Sequence, residues 1–216
     1  MKKYDTVIFD MDGTLLNTIQ DLTDSVNYML EQFSYPTKTV KQVCSYVGNG
    51  VKLLVERAIP EGADNPRFDE AFECFRAHYK LHCEDKTAPY EGVCELISNL
   101  KKCGYKLAIV SNKFDAALKE LAKKFFPEVD VVIGEREGVN KKPSPDMVEI
   151  ALKELGSKKE SSVFIGDSDV DYLTAKNAEL DCISVLWGFR DRDFLSSFGA
   201  NVFAETADEV FDIINA

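Results

Sequence analysis

Near the start of the 216-residue chain, the apolar run Val7-Ile8-Phe9 gives way to Asp10-Met11-Asp12-Gly13-Thr14. The run reads as a buried strand, and residues i and i+2 of a strand lean to the same side. Asp10 and Asp12 therefore share a small volume where the strand ends, and Gly13 lets the backbone turn and approach a ligand closely. Two carboxylates that near repel unless a cation or a shared proton relieves them. Oxygen ligands favour a hard divalent ion, Mg2+. The chemistry that follows is a division of labour, one carboxylate attacking and the other moving protons.

Three further polar groups follow apolar runs. Ser111-Asn112 comes after Leu107–Val110, Lys142 lies in the loop after Val131-Val132-Ile133, and Gly166-Asp167 comes after Val163-Phe164-Ile165. The elements that must hold them alternate from Tyr90 onward. Strands are expected at Leu107–Val110, Val129–Ile133, Val163–Ile165, Cys182–Leu186 and Asn201–Phe203, separated by helices at 115–125, 146–155, 170–178, about 192–198, and 207–214. Such alternation predicts a parallel sheet with helices on both faces. Ligands bind such sheets beyond the carboxyl ends of the strands, so all four groups fall on one rim. Asp115 and Asp169 read as capping acids, Ser144-Pro145-Asp146 as a helix start, and Thr206 with Glu209 as a capping box.

Between the first strand and Tyr90 the texture is helical. Ile19, Leu22, Val26, Met29, Leu30 and Phe33 keep helical spacing, and helices are expected at Val40–Val47, Val51–Ile59 and Phe68–His82. Residues 16–88 thus form an all-helical insertion, and residues 1–15 with 89–216 form an α/β core.

Composition sets limits. A hydrophobic fraction of 45% supports a packed core, and a net charge of -11 argues against nucleic acid or an anionic membrane as partner. No apolar run reaches membrane-spanning length and the start does not read as a signal peptide, so a cytoplasmic protein is expected. The six cysteines show no C-x-x-C spacing and are expected as reduced, mostly buried thiols. His78 and His82 have the i, i+4 spacing of a metal pair but lack the acid of H-E-x-x-H, and read as surface or packing residues.

The four segments resemble the motifs of the haloacid dehalogenase-like superfamily of phosphohydrolases: Asp10-x-Asp12-Gly13-Thr14, Ser111-Asn112, Lys142-Pro143, and Gly166-Asp167-x-x-x-Asp171. Tyr46-Val47-Gly48-Asn49-Gly50, Val110-Ser111-Asn112-Lys113 and Trp187-Gly188-Phe189-Arg190 are most similar to its phosphoglycolate phosphatase branch. The resemblance implies a Rossmann-like core with a C1-type helical cap. It implies that Asp10 is the nucleophile that takes the phosphoryl group as an aspartyl-phosphate, and that Asp12 is general acid and then general base. Mg2+ is implied at Asp10, the backbone carbonyl of Asp12, Asp167 and Asp171. Ser111 and Lys142 would hold the phosphoryl group, with Gly13, Thr14, Asn112 and Lys113 near it and Gly48, Asn49 and Gly50 reading the rest of the substrate. Lys52, Arg57 and Arg190 are weaker candidates as anion readers, with surface charge as the default for each.

The implied activity is Mg2+-dependent hydrolysis of a small phosphate ester, 2-phosphoglycolate first. A phosphomutase of the beta-phosphoglucomutase type, a pyrophosphatase, and a regulatory module that binds phosphate and Mg2+ without turnover are the rivals. The expected partner is a small phosphate ester and the expected assembly a monomer or homodimer. Asn17 stands where an acid is common in this motif, and Asp12 itself favours ester chemistry, because the superfamily's dehalogenases lack an acid there.

Overall fold

The computed structural model describes residues 3–216, which divide into two compact units, one of residues up to Leu16 with Pro89–Ala216 and one of Asn17–Ala88. In chain order the elements are β1 (Thr6–Phe9), β2 (Leu16–Asn17), α1 (Ile19–Gln32), α2 (Val40–Tyr46), α3 (Val51–Ala58), α4 (Phe68–His82), β3 (Ala88–Pro89) and α5 (Val93–Lys102). They continue as β4 (Lys106–Phe114), α6 (Asp115–Phe125), β5 (Val131–Glu135), α7 (Asp146–Leu155), β6 (Ser162–Gly166), α8 (Asp169–Ala178), β7 (Asp181–Val185), α9 (Arg192–Phe198), β8 (Phe203–Ala204) and α10 (Ala207–Asn215). The short strands β2 and β3 carry the chain from one unit to the other and back.

The first unit is built on a six-stranded sheet in the order β5-β4-β1-β6-β7-β8, every pair parallel. It is the α/β parallel sheet that the alternation predicts, in the Rossmann-like form that the resemblance implies. All four residues of β1 are buried, and so is all of β6. A strand covered on both faces has no solvent side and reads as a continuous apolar run instead of an alternating one. One face packs Val7, Phe9, Leu107, Ile109, Val163 and Ile165 against α5, α6 and α10. The other packs Ile8, Ala108, Val110 and Phe164 against α7 and α8. Each of these Val, Leu, Ile and Phe side chains contributes roughly 1.5–3 kcal/mol by leaving water. Strand order reverses at β1, with β4 on one side and β6 on the other, so the carboxyl ends of these three strands adjoin where a ligand crevice forms.

The second unit is a helical module whose core gathers Leu22, Val26, Met29, Leu30, Leu54, Val55, Phe68 and Phe75. Thr39 and Gln42 close a reciprocal capping box on α2 that the sequence reading did not pick out. The buried Asp21 of α1 accepts from the backbone N–H groups of Lys86 and Thr87 at 2.9–3.0 Å and from the Thr87 hydroxyl at 2.8 Å. One carboxylate thereby pins the returning chain to the first helix.

Several local expectations are corrected. Phe114, not Asp115, occupies the N-cap position of α6, because the Asp115 carboxylate is drawn to the Gly134 N–H at 3.0 Å and to Lys119. Ser168 and Asp171, not Asp169, form the capping box of α8. Pro145 holds the cap position of α7, and the Ser144 hydroxyl turns to Asp146 instead. At α10 only half of the box forms, Thr206 accepting from Glu209 N–H while the Glu209 carboxylate takes the Glu205 N–H. The cysteines are thiols as expected, but none is buried: Cys94 and Cys103 are exposed and the others are half-buried. His78 and His82 stack with ring centroids 4.3 Å apart and bond to Ser25 and Asp85. Among the described residues no helix is long and apolar enough to cross a membrane.

Candidate active site

Three buried carboxylates define the site. Asp10 leaves the end of β1, Asp167 follows β6, and Asp171 lies in the first turn of α8; one oxygen from each falls within 4.8 Å of the others. The buried Lys142 reaches in from the loop after β5, its ammonium 2.8 Å from Asp10 Oδ1 and 2.7 Å from Asp171 Oδ1. Three carboxylates and one ammonium leave the cluster short of positive charge. Asp10 Oδ1 shows the shortage directly, being buried beside the ammonium without a well-aligned hydrogen bond.

Electrostatics follow from this. Burial first, then the neighbouring Asp171, push the Asp10 carboxyl up to about 7 against the pull of Lys142. Burial, then Asp171 and Asp10, hold Asp167 well above the usual carboxylate range, although Phe189 N–H and Thr14 stabilise its charge. Burial alone would lower Lys142, but Asp10 and Asp171 outweigh it and hold the ammonium above its ordinary range. A hard divalent cation has the charge and the oxygen preference that this donor set asks for, so the residues fit Mg2+.

Asp12 is turned elsewhere. Both its oxygens accept from the Lys113 ammonium, at 2.9 and 3.2 Å, and it stands outside the carboxylate triad. The pair at the end of β1 is thus split, with Asp10 in the acidic cluster and Asp12 on a separate cation.

The other residues singled out in the sequence fall into two groups. Ser111 is buried inside β4, which runs on past the expected end at Val110 to Phe114, with a register break against β5 between Val110 and Phe114. Asn112 accepts from Lys142 N–H at 2.8 Å and donates to the Lys142 carbonyl at 3.0 Å, so its side chain sets the lysine loop. The Thr14 hydroxyl donates to Asp167 Oδ1 at 3.0 Å and is committed to that carboxylate instead of facing a substrate. Gly13 has φ +90°, and a Cβ there would lie 2.7 Å from Asp167 Cγ, so the turn admits only glycine.

Gly48, Asn49 and Gly50 lie in the second unit, in the segment between α2 and α3. Arg57 donates to the Tyr46 carbonyl at 2.7 Å and to Asn49 Oδ1 at 3.0 Å, which occupies that guanidinium in shaping the segment. Lys52 lies over the Phe68 ring, 5.8 Å from its centroid, and Arg190 lies 3.7 Å from Asp169.

One supporting element escaped residue-by-residue reasoning. In the loop after β7, Trp187 Nε1 donates to the Thr14 carbonyl at 2.9 Å and Phe189 N–H donates to Asp167 Oδ2 at 2.7 Å. A Cβ on Gly188 would collide with Asp167 and with the Gly13 carbonyl. The loop thus braces the first and fourth motifs together; the Trp187-Gly188-Phe189 string was its only signal.

A buried acid triad, one lysine and a fourth carboxylate, all at the carboxyl rim of a parallel sheet, define a hydrolase built to handle a phosphoryl group. Comparison with known proteins agrees. The model of the haloacid dehalogenase-like hydrolase family matches residues 7–185, and the chain belongs to that family as a phosphatase of its type. The pyrophosphatase PpaX of Halalkalibacterium halodurans is 33% identical over 215 residues, covering 97% of this chain and 96% of that protein. The phosphoglycolate phosphatase of Aquifex aeolicus is 32% identical over 190 residues, 85% of each chain. A crystal structure from Lactobacillus delbrueckii subsp. bulgaricus, described as a candidate phosphoglycolate phosphatase, superposes with a TM-score of 0.96 at 38% identity over 100% of both chains.

Proposed function

We propose that the protein is a Mg2+-dependent phosphomonoester hydrolase of the cytoplasm that works through a phosphorylated Asp10 on a small phosphorylated metabolite, 2-phosphoglycolate first. The separation of Asp10 from Asp12 carries this reading: one carboxylate sits in the acidic cluster against Lys142, the other is held apart on Lys113. An Asp10 oxygen forms a bond to phosphorus while the ester P–O bond breaks, its electron pair going to the leaving oxygen. Asp12 delivers its proton to that oxygen, releasing the alcohol. A water oxygen then bonds to the same phosphorus and passes a proton to Asp12, while the Asp10–phosphorus bond breaks. Inorganic phosphate leaves, and both aspartates return to their starting states.

Lys142 offsets phosphoryl charge and holds Asp10, and Ser111 with the N–H groups near Gly13 and Asn112 receive the phosphoryl oxygens. Asp10, the backbone carbonyl of Asp12, Asp167 and Asp171 would hold Mg2+, which when bound neutralises phosphoryl charge and lowers its repulsion from the acids. The reading gives residues 16–88 the part of a cap, with Gly48, Asn49 and Gly50 as substrate readers and hinges at 15–18 and 87–92.

A pyrophosphatase is the second reading, supported by a relative of that name that matches over 97% of this chain. A panel of 2-phosphoglycolate, pyrophosphate and glucose 1-phosphate, compared by kcat/KM with Mg2+, separates the two. The proposal expects 2-phosphoglycolate to lead by at least about tenfold, a gap of one 1.4 kcal/mol step in transition-state binding. A lead for pyrophosphate would install the second reading. A sugar monophosphate isomerised in the presence of its bisphosphate, without free phosphate, would replace both with a mutase.

A further inference from the structure

Lys142 can act only while its ammonium stays within reach of both Asp10 and Asp171, 2.8 and 2.7 Å away. A lysine stem is flexible and does not keep such a place by itself. Its backbone must be fixed first. Lys142 stands in the loop after β5, outside every strand and helix, so neither a ladder nor a helical turn pairs its backbone N–H and C=O. One buried side chain takes both groups. The Asn112 amide accepts from Lys142 N–H at 2.8 Å and donates to the Lys142 carbonyl at 3.0 Å.

An amide side chain offers a donor and an acceptor next to each other, so here it stands in for the neighbouring strand that the loop lacks. β4 can lend a side chain for this because its register with β5 shifts between Val110 and Phe114. A second amide works from the opposite side. Asn177 of α8 donates to the Pro143 carbonyl at 2.8 Å, and α8 is the helix that carries Asp171. The lysine loop is thus tied to the strand of Ser111 and to the helix of Asp171.

We propose that Asn112 is a positioning residue whose side-chain amide acts through Lys142 alone, fixing the ammonium between Asp10 and Asp171, with Asn177 as the outer tie. This rests on the role given to Lys142 above, and it concerns the Asn112 side chain, not the backbone N–H offered to the phosphoryl group. Truncating Asn112 leaves two buried backbone groups without these partners, and the loop must shift to find others. A displacement of about 1 Å near the reacting atoms costs on the order of 100-fold in rate. The effect on the cation has the opposite sign. The ammonium lies against two carboxylates that would hold Mg2+, so loosening the lysine removes a repelling charge and favours the metal.

The test reads turnover and metal affinity together. kcat/KM for a nitrophenyl phosphate and the Mg2+ dissociation constant by calorimetry are measured on the wild-type protein, Asn112→Ala, Asn112→Ser, Lys142→Met and the Asn112→Ala/Lys142→Met double variant. Calorimetry counts only sites that bind, so unfolded protein does not enter the constant. Both Asn112 variants are expected to lose about 100-fold in kcat/KM. They should nevertheless bind Mg2+ at least about threefold more tightly, and Lys142→Met about tenfold or more. Adding Asn112→Ala to Lys142→Met should move the constant by less than about twofold, because a residue that acts through the lysine then has nothing to act on. Where neither Asn112 variant folds, Asn177→Ala, which alters an exposed contact, should show the same two signs at smaller size. Mg2+ binding that weakens or stays the same in these variants, or a change of equal size with and without Lys142, makes the amide a support of the fold and overturns the inference, leaving the phosphatase reading standing. A wild-type protein that binds no Mg2+ or releases no phosphate would remove the reading and the inference together.

Discussion

Replacing Asp10 with Asn is expected to abolish phosphate release and at the same time to strengthen the metal-free fold. The loss follows from the place of the carboxylate: without a nucleophilic oxygen next to Lys142, the remaining groups can orient an ester but cannot take its phosphoryl group. A fall in kcat of about 10^4-fold or more is expected, the scale seen when a covalent nucleophile is removed. The gain has a separate cause. Asp10 is buried with Asp167 and Asp171, and one of its oxygens lacks a well-aligned donor. An amide keeps the shape and removes the charge, while Lys142 retains Asp171 at 2.7 Å. In chelator near neutral pH the variant should unfold at higher urea, by on the order of 1–3 kcal/mol. A variant that lost both activity and stability would show Asp10 to be a structural carboxylate. Stability and chemistry pulling in opposite directions is the mark of a residue kept for reactivity.

The second large effect concerns metal and pH together. Chelation is expected to abolish turnover, and Mg2+ to raise the unfolding free energy by about 2.7 kcal/mol at a concentration 100 times its Kd. The pH dependence has a definite sign. Asp10 is raised from its ordinary value to about 7, and Asp167 is raised as well, so the metal-free folded state keeps protons that the unfolded chain has given up. Where the folded state binds more protons, stability falls as pH rises. The contribution of this cluster is therefore fullest below the ordinary carboxylate range and is lost on the way to about pH 7. A metal ion competes for the same oxygens and displaces those protons, so its stabilising increment should grow across that window. Thermal unfolding with Mg2+ and with chelator, from about pH 5 to about pH 8, gives the increment directly. An increment that stayed flat or shrank with rising pH would place the metal on groups other than this triad.

Much of this was legible in the sequence because buried parallel strands leave an unmistakable trace. Val7-Ile8-Phe9 and Val163-Phe164-Ile165 are uninterrupted because both their faces are covered. A polar residue right after such a run can only stand on the carboxyl rim, so Asp10 and Asp167 could be placed in advance. Helices declared themselves by spacing, and α4, α6 and α7 begin and end where the apolar periodicity does.

What spacing could not show is which partner a polar side chain chooses. Asp115 looks like a cap from its neighbours in sequence, yet the Gly134 N–H that captures it is nineteen positions away. Thr14 and Asn112 read as phosphate contacts, but their side chains are spent on Asp167 and on the Lys142 backbone. The Lys113–Asp12 pair spans 101 positions and has no local signature. The Trp187–Phe189 loop left its string as a signal but not its partners, since its work is done through backbone N–H and an indole placed against Thr14 and Asp167.

The central claim is that Asp10 itself takes the phosphoryl group. Hydrolysis of an ester whose phosphorus is made chiral by oxygen isotopes and sulfur tests it most directly, read as the configuration of the thiophosphate product. Two in-line displacements, first by Asp10 and then by water, give overall retention. Inversion would mean a single attack by water on the substrate, and the aspartyl-phosphate would have no place in the reaction.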